Sequence, residues 1–103
     1  MKINLQANET VVRATDSNLC VSENEKIKGK LILTNQRIYF KSTNGHTGKY
    51  DLEIDPKSIQ DVLFFNTFVF LRNGLNLVLK HGHELRFLLR NRNQWGEMIA
   101  GMS

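Results

Sequence analysis

GKLILTNQRIYF, running from Gly29 to Phe40, sets a polar block, Thr34-Asn35-Gln36-Arg37, between two apolar runs. Just upstream, Ile27, Gly29, Leu31 and Leu33 share one parity, while Lys26, Lys28, Lys30 and Ile32 share the other. Period-two alternation marks a strand with one buried face. Residues 26–33 are therefore expected to form a strand whose outer face carries lysine over its first half. Arg37 to Lys41 is the return partner, with Ile38 and Phe40 inward. The polar block then reads as a corner, because Thr34 and Asn35 are turn formers whose short side chains satisfy backbone groups as the chain reverses. Arg37 opens the return strand on its outer face.

The same grammar extends in both directions. Glu9 to Ala14 is expected as the first strand, followed by a polar loop through Asp16, Ser17, Asn18, Ser22, Glu23 and Asn24. Asn44-Gly45 and Gly48 mark a turn, since Asn and Gly tolerate positive φ. Tyr50, Leu52 and Ile54 then alternate with Asp51, Glu53 and Asp55. Residues 75–80 and 84–89 alternate too, and His81-Gly82-His83 links them as a hairpin. Val62 to Leu71 differs, because its apolar residues fall on both parities. One long strand with a bulge near Asn66, ending in a turn at Asn73-Gly74, is the favoured reading; the alternative is a strand covered on both faces.

Only the C-terminus changes period. Trp95, Met98, Ile99 and Met102 recur at three- and four-residue spacing, and Asn91 with Gln94 has the form of a capping box. Seven closely spaced strands and one amphipathic helix make an all-β barrel or sandwich with a helical cap.

Composition sets the outer limits. The chain has 103 residues, 41% hydrophobic and 23% charged, which is ordinary for one folded domain spanning residues 1–103. No apolar run approaches the length of a membrane span, and no secretory leader is evident, so a cytoplasmic location is expected. The single cysteine, Cys20, agrees with a reducing compartment. Fourteen bases against ten acids leave a net charge of +4, unevenly placed. Residues 26–49 hold six bases and no acid, whereas residues 50–61 hold four acids and one base.

With this order in hand, the opening run acquires a relative. Glu9, the G-x-L-x-L-T-N-x-R-I-x-F run of residues 29–40, the Ile59-Gln60-Asp61-Val62 step, the Gly74-Leu75 strand, Phe87 and Trp95 together resemble the GRAM domain. That family belongs to the pleckstrin-homology (PH) superfold, and this chain is similar to its stand-alone, bacterial-type form over roughly residues 9–100. The resemblance implies a PH-like barrel of seven strands, in two near-orthogonal antiparallel sheets, with the helix plugging one open end. It also implies a non-catalytic binding module that engages proteins or membrane lipids such as phosphoinositides.

Two candidate surfaces follow. Lys26, Lys28 and Lys30, with Lys41 and Lys49 on later segments, offer point charges to phosphate or an anionic membrane surface. Lipid-binding PH domains more typically place their basic cluster around the first interstrand loop, where this chain has Asp16, Glu23 and Glu25. Phe64, Phe65, Phe68 and Phe70 cannot all enter one small barrel, and a leftover aromatic patch marks a protein contact or self-association. Asp51, Glu53 and Asp55 are expected to face solvent and to be free to meet the lysine row of a second copy.

Other chemistries find less support. Tyr39 between Arg37 and Lys41 is the only basic-aromatic interleaving, too little for nucleic acid. His81 and His83 lack a spaced third ligand for a metal. Gly45-His46-Thr47-Gly48-Lys49 lacks the spacer and the Ser/Thr of a phosphate loop. No nucleophile motif, cofactor signature or small-molecule substrate site is evident. The expectation is a binding module docking a protein or itself, with a peripheral membrane module as the alternative.

Overall fold

The computed structural model describes residues 5–22, 24–43, 49–67 and 73–102. Among them, seven strands run β1 (Val11–Cys20), β2 (Lys26–Thr34), β3 (Ile38–Ser42), β4 (Leu52–Ile54), β5 (Ile59–Phe65), β6 (Gly74–Leu79) and β7 (Glu84–Leu89), and helix α1 (Arg92–Ala100) follows. They form one antiparallel sheet in the order β4-β3-β2-β1-β7-β6-β5. β1 pairs with β2 along its whole length and with β7 through Ser17–Cys20 alone. It thereby joins the β2–β4 half to the β5–β7 half.

The inward parity of each strand meets in one core. Leu31, Ile38, Phe40, Leu75, Leu77, Phe87 and Ile99 are fully buried, and Trp95 nearly so. Phe40 and Phe87 meet across the halves with ring centroids 5.7 Å apart. Removing each such side chain from water contributes about 1.5–3 kcal/mol. The helix holds its place through Trp95 and Ile99, with Met98 and Met102 packed beside them. The expected stripe is the one that is buried.

Several expectations from the sequence are corrected. The first strand does not end at Ala14; Asp16, Ser17 and Asn18 continue it to Cys20. Polar residues are tolerated there because β1 pairs with β2 throughout and, from Ser17 on, with β7 as well, and buried Ser17 donates its Oγ to the Leu88 carbonyl at 3.0 Å. β5 begins at Ile59, three residues before the apolar run, with an irregular register between Ile59 and Asp61; the pairing that a bulge near Asn66 would interrupt falls on residues outside those described. Gly74 is the first residue of β6, paired with Phe65 and Leu88, not half of a turn. A Cβ at Gly74 would lie 2.5 Å from the Phe65 ring and carbonyl, so only glycine lets the two strands approach.

Two smaller corrections concern ends. Tyr50 and Asp51 precede β4, which is confined to Leu52–Ile54. Asn91 does precede the helix, but it sits in the left-handed region at φ 56° and its side chain makes no cap bond, so no capping box forms. The expected turn at residues 44–48, the loop residue Glu23, and Phe68, Phe70 and Leu71 lie outside the described residues.

Candidate functional site

The corner between β2 and β3 is more than a turn. Thr34, fully buried, donates its hydroxyl to Glu9 Oε2 at 2.6 Å and accepts the amides of Gln36 and Arg37 at 3.1 and 2.8 Å. Arg37 grips the same carboxylate with two nitrogens and places a third on Glu53 Oε1 at 3.1 Å. Asn35 and Gln36 reach back to residues 7–10: the Asn35 side chain accepts the Thr10 amide and donates to the Asn8 carbonyl, and Gln36 Nε2 donates to the Ala7 carbonyl. The block clamps the segment before β1. Arg37 stands on the outward parity with Tyr39 and Glu53, as expected, yet its side chain is only 13% exposed.

Charge and burial polarise this corner. Hydrogen bonds from Arg37, opposed by burial and joined by Thr34 and the Gln6 amide, hold the Glu9 carboxyl at about 2, well below its usual value. The Arg37 guanidinium is correspondingly raised. It also lies 4.7 Å from the centroid of the Tyr39 ring. Burial pushes the Tyr39 phenol up, and its hydroxyl, shielded from solvent, has no hydrogen-bond partner among the described residues. These groups face one another and leave only a polar cleft of about 350 Å³ beside Gln6, Glu53 and Lys57.

The lysines divide between two places. Lys26, Lys28 and Lys30 are exposed on the outer face of β2, and Lys30 pairs in register with Lys41 of β3. Lys30 is 3.7 Å from Asp16, and Lys41 is 3.5 Å from Asp51. Both contacts are long; the exposed Lys30–Asp16 pair contributes little, while the Lys41–Asp51 pair is partly buried. Lys26 and Lys28 have no ion pair among the described residues. Lys49 instead lies over the Tyr50 ring at 5.2 Å and lines a separate cavity with Leu19, Leu52 and His83.

Each carboxylate of the row has a partner within the chain, while Glu53 and Asp55 remain exposed, as expected, and Asp51 is half-buried. Asp51 accepts the amide and hydroxyl of Ser42 at 2.9 and 3.2 Å; although burial opposes it, these bonds and Lys41 hold its carboxyl below the usual range. Glu53 is taken by Arg37, and Asp55 accepts the Lys57 amide at 3.0 Å at the start of a 3₁₀ turn, Pro56–Ser58. β3 supplies the partners of Asp51, and Arg37 just before it supplies that of Glu53. His81 and His83 are exposed in the β6–β7 turn, and the described residues contain no metal-binding cluster of three or more His, Cys, Asp or Glu.

Of the aromatic run, Phe64 and Phe65 lie on opposite faces of β5, the outermost strand of its half of the sheet. Phe64 is 45% exposed; its ring tip abuts Gly96 of α1, and the Arg92 guanidinium lies 5.1 Å from its centroid. Phe65 is half-buried, with Arg86 reaching over it at 5.5 Å. Leu63, which the sequence reading did not single out, is 47% exposed. Its parity places it outward, and apolar outward residues become visible only once the inward set is known.

No family model matches this chain, and no curated protein matches it. Solved structures do. The C-terminal domain of an unknown protein from Leishmania infantum superposes with a TM-score of 0.77 at 16% identity, over 93% of this chain and 85% of that one. The Vps36 N-terminal PH domain gives 0.72 at 16% identity, over 96% of this chain and 82% of that one. The linker-DH/PH region of p115-RhoGEF gives 0.67 at 7% identity, over 94% of this chain but 30% of that longer one. The fold is PH-like.

Proposed function

We propose that this chain is a non-catalytic, cytoplasmic binding module of the GRAM type within the PH-like group, and that it works by adding a protein strand to the free edge of β5. The observation that carries this reading is the position of β5 at the end of the sheet, with Leu63 47% and Phe64 45% exposed. A terminal strand has backbone N–H and C=O groups without a ladder partner on one side, and an incoming strand satisfies them while covering apolar side chains on both faces. A second copy of the chain fits this edge. Antiparallel pairing of two β5 strands about Leu63 sets Asp61 of one copy opposite Phe65 of the other, beside the Arg86 guanidinium lying over that ring. Size-exclusion chromatography with light scattering over micromolar concentrations tests it: a wild-type dimer that Leu63→Lys converts to monomer is expected. A strictly monomeric wild type overturns the self-pairing.

One observation favours a second reading, a peripheral membrane module. Lys26 and Lys28 are exposed and free of ion pairs among the described residues, and Lys30 and Lys41 adjoin them. Each lysine near an anionic surface contributes about 1 kcal/mol. Co-sedimentation with phosphatidylserine vesicles at low salt is the test, and absence of binding there removes this reading.

A further inference from the structure

A cavity of about 430 Å³ opens on the outer face of the sheet, reaching from the end of β1 to the end of β5. Its floor is a row set by strand register: Cys20 pairs with Lys26 of β2 on one side and with Arg86 of β7 on the other. Cross-strand partners project to the same face, so the half-buried thiol lies between two cations. Phe65 adds an aromatic wall, Val21 and Ser22 line the cavity just beyond β1, and Thr67 lines it just beyond β5.

Charge makes this cavity receptive to an anion. Arg86 has only a long contact with Glu84, at 3.8 Å, whereas that carboxylate accepts Asn76 Nδ2 at 2.6 Å. Lys26 has no ion pair, and no acid lines the cavity, among the described residues. The Arg86 guanidinium lies 5.5 Å from the Phe65 centroid, and stacking on the ring orients its fork. Ser22 Oγ accepts the Asn24 amide at 3.3 Å and keeps its own proton to donate. Burial pushes the Cys20 thiol up, so it stays neutral and acts as a small apolar surface. Phe65, Val21 and Cys20 offer a bare inorganic anion nothing to bury against, but they reward a ligand with an apolar body. The volume falls in the range of sites for small organic molecules.

We propose that this cavity binds a small aromatic carboxylate, its carboxylate bridging Arg86 and Lys26 and its ring lying against Val21 and the edge of Phe65. The planar fork of Arg86 matches a carboxylate through two parallel hydrogen bonds, and Lys26 adds a point charge. Leu63 does not line the cavity. The site and the β5 edge can therefore be broken separately.

The test is a titration with cinnamate followed by amide NMR. Saturable shifts at Cys20, Val21, Lys26 and Arg86 are expected. The neutral cinnamamide should bind the wild-type chain about tenfold or more weakly, and cinnamate should bind Arg86→Gln more weakly by a similar factor. Arg86 is exposed, and an unchanged melting temperature establishes that the variant folds. The comparison of carboxylate with amide needs no variant at all. Leu63→Lys should bind cinnamate as wild type does, whatever the oligomeric state of either. Equal affinity for cinnamate and cinnamamide, tighter binding of phenyl phosphate at the same amides, saturation by inorganic phosphate alone, or no saturable shift at these residues overturns the proposal.

Discussion

Arg37 holds Glu9 by both ends of its fork, Nε to Oε2 at 3.0 Å and the terminal nitrogen to Oε1 at 2.6 Å, across twenty-eight residues of chain. The pair fixes the segment before β1 to the β2–β3 corner, and Thr34 completes the carboxylate's hydrogen bonds.

This arrangement predicts acid sensitivity with a defined sign. The Glu9 carboxyl is lowered from 4.5 to about 2 in the folded chain, so the folded state holds its negative charge more strongly than the unfolded state does. Its stabilising contribution is complete above about pH 4.5 and is lost as pH falls toward 2. Asp51, also lowered, acts in the same direction. The wild-type urea midpoint should therefore fall through that window, and the fall should be shallower in Glu9→Gln, which isolates the Glu9 share. At neutral pH the variant should melt about 5 °C or more lower, because the guanidinium loses the buried one of its two carboxylate partners and keeps only the exposed Glu53.

Tyr39→Phe should be neutral or stabilising, by up to about 1 kcal/mol. The hydroxyl is buried without a partner among the described residues, and removing an unsatisfied polar atom relieves its desolvation, while the phenyl ring keeps the stacked Arg37. Urea denaturation read by tryptophan fluorescence, with Trp95 as the only tryptophan, measures it. A loss above 1 kcal/mol would mean that the hydroxyl has a partner after all.

Two glycines should respond differently to alanine. Gly74→Ala forces a methyl group against the Phe65 backbone carbonyl, which cannot move without opening the β5–β6 ladder, and should cost about 1–3 kcal/mol. Gly96→Ala meets only the tip of the half-exposed Phe64 ring, which can swing aside, and alanine adds up to about 1 kcal/mol of helix propensity. Near-neutral stability is expected, and equal losses at both positions would refute the distinction.

The alternation of Ile27, Leu31, Leu33, Ile38 and Phe40 made the β2–β3 hairpin legible, because burial on one face imprints a period of two on the sequence. Trp95 and Ile99 did the same for the helix. Ser17 and Asn18 misled because their polarity reads as loop, while they are paired on one side with β2 and on the other with β7, about seventy residues away. Partners that distant leave no local pattern. Thr34 and Arg37 were read as a corner, as they are, yet the clamp required Glu9, whose role no spacing rule announces.

The strand order carries a consequence for how the chain finds its fold. Among the described residues, every hydrogen-bonded strand pair but one joins neighbours in sequence; β1 with β7 is the exception. The cost of closing a loop rises slowly with length, but it must be met before any contact across the join repays it. Two local meanders can thus assemble independently. The long-range search that remains for the sheet is for a single register, Ser17–Cys20 against Arg86–Leu89.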